Sequence, residues 1–251
     1  ESRRSARPRR PWHDPAAPFY HERIVPPRLL ILETSHQPGV VALAEGATLR
    51  AERRLDEARR HARDLAPTLA GLLRELGWSA KELDGVIVTL GPGSYTGLRV
   101  GVMSAKMWAY ATGGVLLGVP TFPAIARQAP ADATDIAVIG DAQQGKVHVQ
   151  RFRRGSAGIV AIADVAIVPF DDWRAGVSPT TCVTGPGVDA FADRLMGMRL
   201  AESRTATAAS LLALGLARFE IGERDDPYRL EPLYLRVSSA EANWEKNRPR
   251  R

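Results

Sequence analysis

Residues 86–99 read Val86-Ile87-Val88-Thr89-Leu90-Gly91-Pro92-Gly93-Ser94-Tyr95-Thr96-Gly97-Leu98-Arg99. An apolar run ends at glycine and proline, and a long apolar segment follows. The order predicts a buried strand over Val86–Leu90, a tight turn, and a helix running to about Thr112. The turn departs from the common phosphate loops. Gly91 and Gly97 are six apart where the glycines of the ATPase loop are five apart, and Leu98 stands where that loop needs its lysine. The dinucleotide spacing fails because Gly93 and Gly97 are four apart, and Ser94 follows Gly93 directly, which rules out a nucleophile elbow. Two readings stay open for the exposed N–H groups of the helix start. They can bind an anion, or Ser94 or Thr96 can cap them while Gly91, Gly93 and Gly97 allow close backbone packing.

Working outward, Leu29–Leu32, Val40–Ala44 and Thr48–Arg54 read as strands separated by the turn signals Gln37-Pro38-Gly39 and Glu45-Gly46. A helix begins near Asp56, a candidate N-cap. Beyond the glycine turn and its helix, Val115–Val119 is a strand and Thr121–Gln128 a short helix. Strands joined by tight turns form an antiparallel meander, whereas strands joined through helices lie parallel. The expectation is a mixed sheet flanked by helices. A looser echo follows, with strands at Ile136–Ile139, Lys146–Phe152 and Thr181–Thr184, and an apolar segment over Gly158–Val168. Gly185-Pro186-Gly187 then leads into a helix through Met196, and a last helix covers about Ala206–Phe219. The resulting division is a Pro/Arg-rich extension at 1–27, an N-terminal half at 28–130, a C-terminal half at 131–236 and a basic tail at 237–251.

The first helix repeats apolar residues at Leu55, Ala58, Ala62, Leu65, Leu69, Leu72 and Leu76, the three-four spacing of two helices packing at a shallow angle. Pro67 lies inside that pattern and predicts a kink or break. The second helix is apolar on nearly every side, with Met103 and Met107 one turn apart, as in helices buried on both faces. Either these helices complete the core of one chain, or Leu65, Leu69, Leu72, Met103 and Met107 also dock a second chain.

Composition narrows the function. The chain has 251 residues, 45% hydrophobic and 25% charged, the balance of a globular protein. No window approaches a membrane span of roughly 18 uncharged apolar residues. The formal charge of +6 resides in the ends, where residues 1–27 carry six arginines against three carboxylates and residues 245–251 carry four basic groups against Glu245. The body between is neutral, so it is not itself a strongly basic nucleic-acid binder, and the ends read as solvated arms able to touch phosphate without sequence preference. Cys182 is the single cysteine and reads as a buried thiol with no histidine near it in sequence. No two histidines share a helix face at metal-ligand spacing, so no metal site is expected.

The segment Leu30-Ile31-Leu32-Glu33-Thr34-Ser35, the loop Gly91–Arg99, and Pro232-Leu233-Tyr234-Leu235-Arg236 with Trp244 together resemble the TsaB family. The resemblance runs from about Arg28 to Trp244, and over 130–230 it rests on element order. It implies an α/β actin-like, hexokinase-like fold of two ribonuclease-H-like halves. It implies a cytoplasmic, non-catalytic scaffold without cofactor or metal, acting in formation of N6-threonylcarbamoyladenosine beside the tRNA anticodon. Its partners would be a TsaD-like catalytic subunit, a TsaE-like ATPase, tRNA indirectly, and a second copy when alone, with docking through the helices described above. Older usage calls such proteins glycoprotease-like, so a peptidase and a stand-alone ATP-binding kinase-like protein of the same fold are the alternatives. Glu33 stands where the family usually has aspartate, and an arm at 1–27 is unusual for it.

Overall fold

The structure, a computed structural model, describes residues 25–55 and 61–235. The arm through residue 24, the candidate cap Asp56, Ala58, and the tail with Arg236 and Trp244 lie outside the described residues.

Strands β1 (Arg28–Glu33), β2 (Val40–Glu45) and β3 (Thr48–Arg54) form the expected antiparallel meander. Helix α1 (His61–Leu76) leads to β4 (Gly85–Gly91), helix α2 (Tyr95–Thr112) to β5 (Val115–Pro120), and α3 (Thr121–Ala126) follows. Both β4 and β5 lie parallel to their neighbours, which gives one mixed sheet in the order β3-β2-β1-β4-β5. Leu55 is buried but sits after β3 rather than on the described part of α1. Helix α1 runs through Pro67 without interruption, so of the expected kink or break the break does not occur.

The second sheet contains β6 (Asp135–Asp141), β7 (Lys146–Gly155), β8 (Gly158–Ala161), β9 (Ala166–Pro169), β10 (Cys182–Thr184) and β11 (Arg199–Leu200). Its order is β11-β10-β6-β7-β8, with β9 also on β7. The apolar segment 158–168 is thus two short strands along one edge of β7. Between them the ladder is irregular, with the Ile162 N–H donating to the Arg151 carbonyl at 2.9 Å and the Gln150 side-chain amide to the Ala163 carbonyl at 3.3 Å. Helix α4 (Phe170–Gly176) is too short to have left a periodic signal. The helix expected through Met196 is only α5 (Gly187–Ala190) and a 3-10 turn at Ala192–Arg194. Phe191 leaves helical geometry at φ −121° and stacks on Phe170 at 4.3 Å. Helix α6 (Ala208–Glu220) closes the described elements, capped by Thr207, which accepts from the Ser210 N–H at 3.2 Å.

The two sheets repeat one plan, each with a central strand flanked by an antiparallel hairpin partner on one side and a parallel strand on the other. In each, that parallel strand (β4 or β10) ends in Gly-Pro-Gly. The first glycine of each tripeptide takes positive φ, 108° at Gly91 and 103° at Gly185, a region costly for any side chain. The second glycine of each, Gly93 or Gly187, lies against the backbone where the central strand ends.

Alternation along the strands distributes the core. Leu29 and Ile31 face one cluster, Leu30 and Leu32 another, so β1 is buried on both faces. The first cluster joins both sheets through α3 and α6, with Ile87, Phe122, Ile136, Phe152 and Leu211 among its members. The second lies beneath α1 and α2, and a third fills the outer side of the second sheet beneath α4 and α5. Cys182 is buried in the joining cluster.

Candidate functional site

The glycine turn is built around close contact with the end of β1. Ser94 caps α2 by accepting the Gly97 N–H at 3.2 Å, while its own N–H donates to the Ser35 carbonyl at 2.7 Å. Of the two candidate caps, Ser94 takes the role and Thr96 is exposed. Gly93, Gly97 and Gly101 succeed one another at four-residue intervals and face Ser35, the Thr34 carbonyl and the Thr34 hydroxyl in turn. A Cβ at any of them would collide with that strand end. These glycines therefore set the distance between α2 and β1.

Three polar side chains meet where β1 ends. Glu33 Oε1 accepts the Ser35 N–H at 2.8 Å and the Ser35 hydroxyl, and Ser35 Oγ lies 2.9 Å from His36 Nδ1. The trio lacks the order of a hydrolytic triad, in which the imidazole stands between serine and acid. Here serine stands between the other two and is fully buried. Burial pushes the Glu33 carboxyl up to about 7, against the opposing pull of its bonds from Ser35 and the His36 backbone. Burial also pushes His36 down to about 4.

These shifts have opposite signs in stability. Folded Glu33 keeps a proton that the unfolded chain releases near 4.5, so its contribution falls as pH rises from there to about 7. Folded His36 lacks a proton that the unfolded chain holds below 6.5, so its contribution falls as pH drops toward 4. Between pH 4.5 and 6.5 the two trends nearly cancel. Glu33→Gln keeps the acceptor oxygen and removes the ionisation. Its stability relative to the parent should grow from near zero at pH 4.5 to about 3 kcal/mol at pH 8, at 1.36 kcal/mol per pKa unit. Urea denaturation at the two pH values measures this. An equal difference at both would place the effect in packing rather than in ionisation.

The helices separate into a spent face and an available one. Leu65 and Leu72 are buried against the sheet within the chain's own core, and Leu69 packs partly against the same cluster. Helix α1 packs on β2, β3 and α2, so docking of a second chain through these three leucines would have to draw chiefly on the partly buried Leu69. The heptad-like spacing records how α1 sits on its own sheet. Leu72→Ala should cost about 2–5 kcal/mol of stability, as for other deletions from a packed core, read as a lowered urea midpoint. Helix α2 buries Leu98, Val102, Ala105, Trp108 and Ala109. Its opposite face exposes Met103 at 54%, Met107 at 67% and Tyr110 at 68%. Tyr110 extends the stripe by one further helical step, three residues beyond Met107 in the sequence.

The last described segment borders this stripe. Lys106 Nζ donates to the Leu230 carbonyl at 3.1 Å, the Leu233 N–H to the Leu90 carbonyl at 2.7 Å, and Arg99 Nε to the Tyr234 hydroxyl at 3.0 Å. The Arg99 guanidinium lies 4.2 Å from the centre of the Tyr95 ring, which itself contacts Tyr234. Sequence motifs separated by more than a hundred residues are thereby brought together. Among the described residues no group of three or more His, Cys, Asp or Glu side chains is placed to hold a metal, and no helix is long and apolar enough to cross a membrane.

Two mixed sheets of like topology joined through one core cluster, with a glycine turn at the end of the parallel strand, define an α/β protein. The family model described as TsaD, tRNA N6-adenosine threonylcarbamoyltransferase, matches residues 55–215. An uncharacterized Mycobacterium leprae protein is 33% identical over 199 residues, 79% of this chain, which spans only 51% of that protein's length. The tRNA threonylcarbamoyladenosine biosynthesis protein TsaB of Bacillus subtilis is 25% identical over 226 residues, covering 86% of this chain and 97% of that one. A Pseudomonas aeruginosa structure described as similar to the peptidase YeaZ superposes with a TM-score of 0.71 at 25% identity, covering 84% of this chain and all of that one. The chain belongs to the TsaB/YeaZ family within the broader TsaD group.

Proposed function

We propose that this chain acts in N6-threonylcarbamoyladenosine biosynthesis on tRNA as a non-catalytic subunit, pairing with a TsaD-like catalytic subunit and working with a TsaE-like ATPase. The observation that carries the pairing is the exposed stripe Met103, Met107 and Tyr110 on α2, a helix otherwise committed to the core. Apolar side chains that are exposed one turn apart, with methionine among them, are well suited to a protein interface. The non-catalytic role rests on the local chemistry. The glycine turn lacks the phosphate-loop lysine, and Ser35 is enclosed between Glu33 and His36. On this reading the turn fixes α2, and α2 presents the docking face.

The test is reconstitution of tRNA modification from TsaD, TsaE, tRNA and threonylcarbamoyl-adenylate, with and without this chain. The expected result is modified adenosine only when the chain is present and no product from the chain alone. Product formed equally well in its absence would defeat the reading. Peptidase activity of the isolated chain would favour the alternative instead.

A further inference from the structure

We propose that Met103 and Met107 are a paired oxidation site through which peroxide controls assembly, an inference that rests on the docking reading of α2. The sequence contains four methionines, Met103, Met107, Met196 and Met198, and a single cysteine. Met198 is 9% exposed and Met196 80%, the latter in the second half of the molecule between α5 and β11. Cys182 is fully buried, and that burial raises its thiol above the usual range, which suppresses the reactive thiolate. The accessible sulfur of this protein is therefore thioether, and two of its three exposed thioethers lie on adjacent turns of the docking helix.

The chemistry needs only hydrogen peroxide. The thioether sulfur lone pair attacks one peroxide oxygen and the O–O bond breaks. The departing hydroxide takes the proton left on the transferred oxygen and becomes water. Sulfur is oxidised by two electrons to the sulfoxide, and the peroxide is reduced by two. Each sulfoxide converts a flexible apolar side chain into a polar one. At an interface the new oxygen must lose its water, and the apolar contact is lost with it. Because Met103 and Met107 are one turn apart, a partner that covers one covers the other. Oxidation and docking thus compete for the same surface. Peroxide acts on the unassembled chain, and the assembled chain is protected.

The experiment uses the full chain and TsaD from the same organism. The chain is treated with hydrogen peroxide, and each methionine is followed by peptide mass spectrometry beside the affinity for TsaD. Met103, Met107 and Met196 should oxidise and Met198 should not. Affinity should fall by about tenfold or more once the first two are sulfoxides, and methionine sulfoxide reductases should restore it. Bound TsaD should shield Met103 and Met107 while leaving Met196 reactive. Met196→Leu should keep the full sensitivity to peroxide. The double variant Met103→Leu, Met107→Leu sets its own baseline affinity, which peroxide should no longer change. Unchanged affinity with both sulfoxides formed would overturn the oxidation site and leave the docking reading standing. An untreated chain that fails to bind TsaD would overturn both.

Discussion

Gly97→Ala should destabilise the fold by about 3 kcal/mol, the upper part of the range for overpacking a core, although alanine is the better helix former. Residue 97 lies in the first turn of α2, where its Cα faces the Thr34 carbonyl oxygen at the end of β1. An added methyl group has no space there, and the obstacle is backbone rather than a flexible side chain. Relief requires α2 to move away from β1, which would also separate Val102 and Ala105 from Leu30 and Leu32 in the core they share. Gly71→Ala supplies the contrast. Gly71 lies within α1, and a Cβ there meets nothing within 4 Å. That substitution should stabilise the protein by up to about 1 kcal/mol through helix propensity alone. Urea titration of the two variants should move the midpoint in opposite directions. A neutral Gly97→Ala would mean that α2 has slack against the sheet.

Replacing Met103 and Met107 together by aspartate should abolish pairing with TsaD while leaving the isolated chain as stable as its parent. Both side chains point away from the core, so their loss costs little within the monomer. At a closed interface, two unpaired carboxylates would have to give up their water. That cost, with the lost apolar contact, should weaken binding at least about 100-fold, the scale of an interface hot spot. Sedimentation measures the pairing and circular dichroism the fold. A folded variant that binds with parental affinity would move the docking face elsewhere on the molecule. A variant that unfolds would show that these methionines serve the core.

The sequence made the first half legible because its strands alternate and its turns carry Gly and Pro. Strand β3 falls on Thr48–Arg54 as expected, and α2 ends at Thr112, where Gly113 adopts the left-handed conformation that terminates helices. The glycine turn was readable as structure, but the choice between Ser94 and Thr96 as cap needed the orientation of a single hydroxyl. The second half was harder to read because its elements are short. Helix α4 is seven residues and α5 is four, below the length at which a 3.6-residue period emerges. The leucine seam was ambiguous for a different reason. Heptad-like spacing marks a continuous apolar strip but does not say what covers it, and here Leu65 and Leu72 are buried in the cluster beneath α1, which packs on β2, β3 and α2. For helix α2 overall apolarity left burial on both faces and docking equally open, and only the structure shows that Met103, Met107 and Tyr110 face outward. The Glu33–Ser35–His36 cluster leaves no motif in the sequence, because it arises from three residues at the turn out of β1.

The chain also finishes its own border. Strand β5 is one of the two outermost strands of the first sheet, six residues long, and its outward groups invite a foreign strand. Asp225 meets them instead. Its N–H donates to the Leu116 carbonyl at 2.8 Å, and its carboxylate accepts the Gly118 N–H at 2.6 Å. Arg218 donates to the Gly118 carbonyl at 2.6 Å and pairs with the same carboxylate at 3.2 Å. A salt-bridged pair of side chains thus acts as a hem where another strand would otherwise be stitched on. The corresponding border of the second sheet is β11, two residues long and too short to serve as a template. Two sheets of like topology therefore close corresponding borders by different routes, one edge sewn shut and the other cut short.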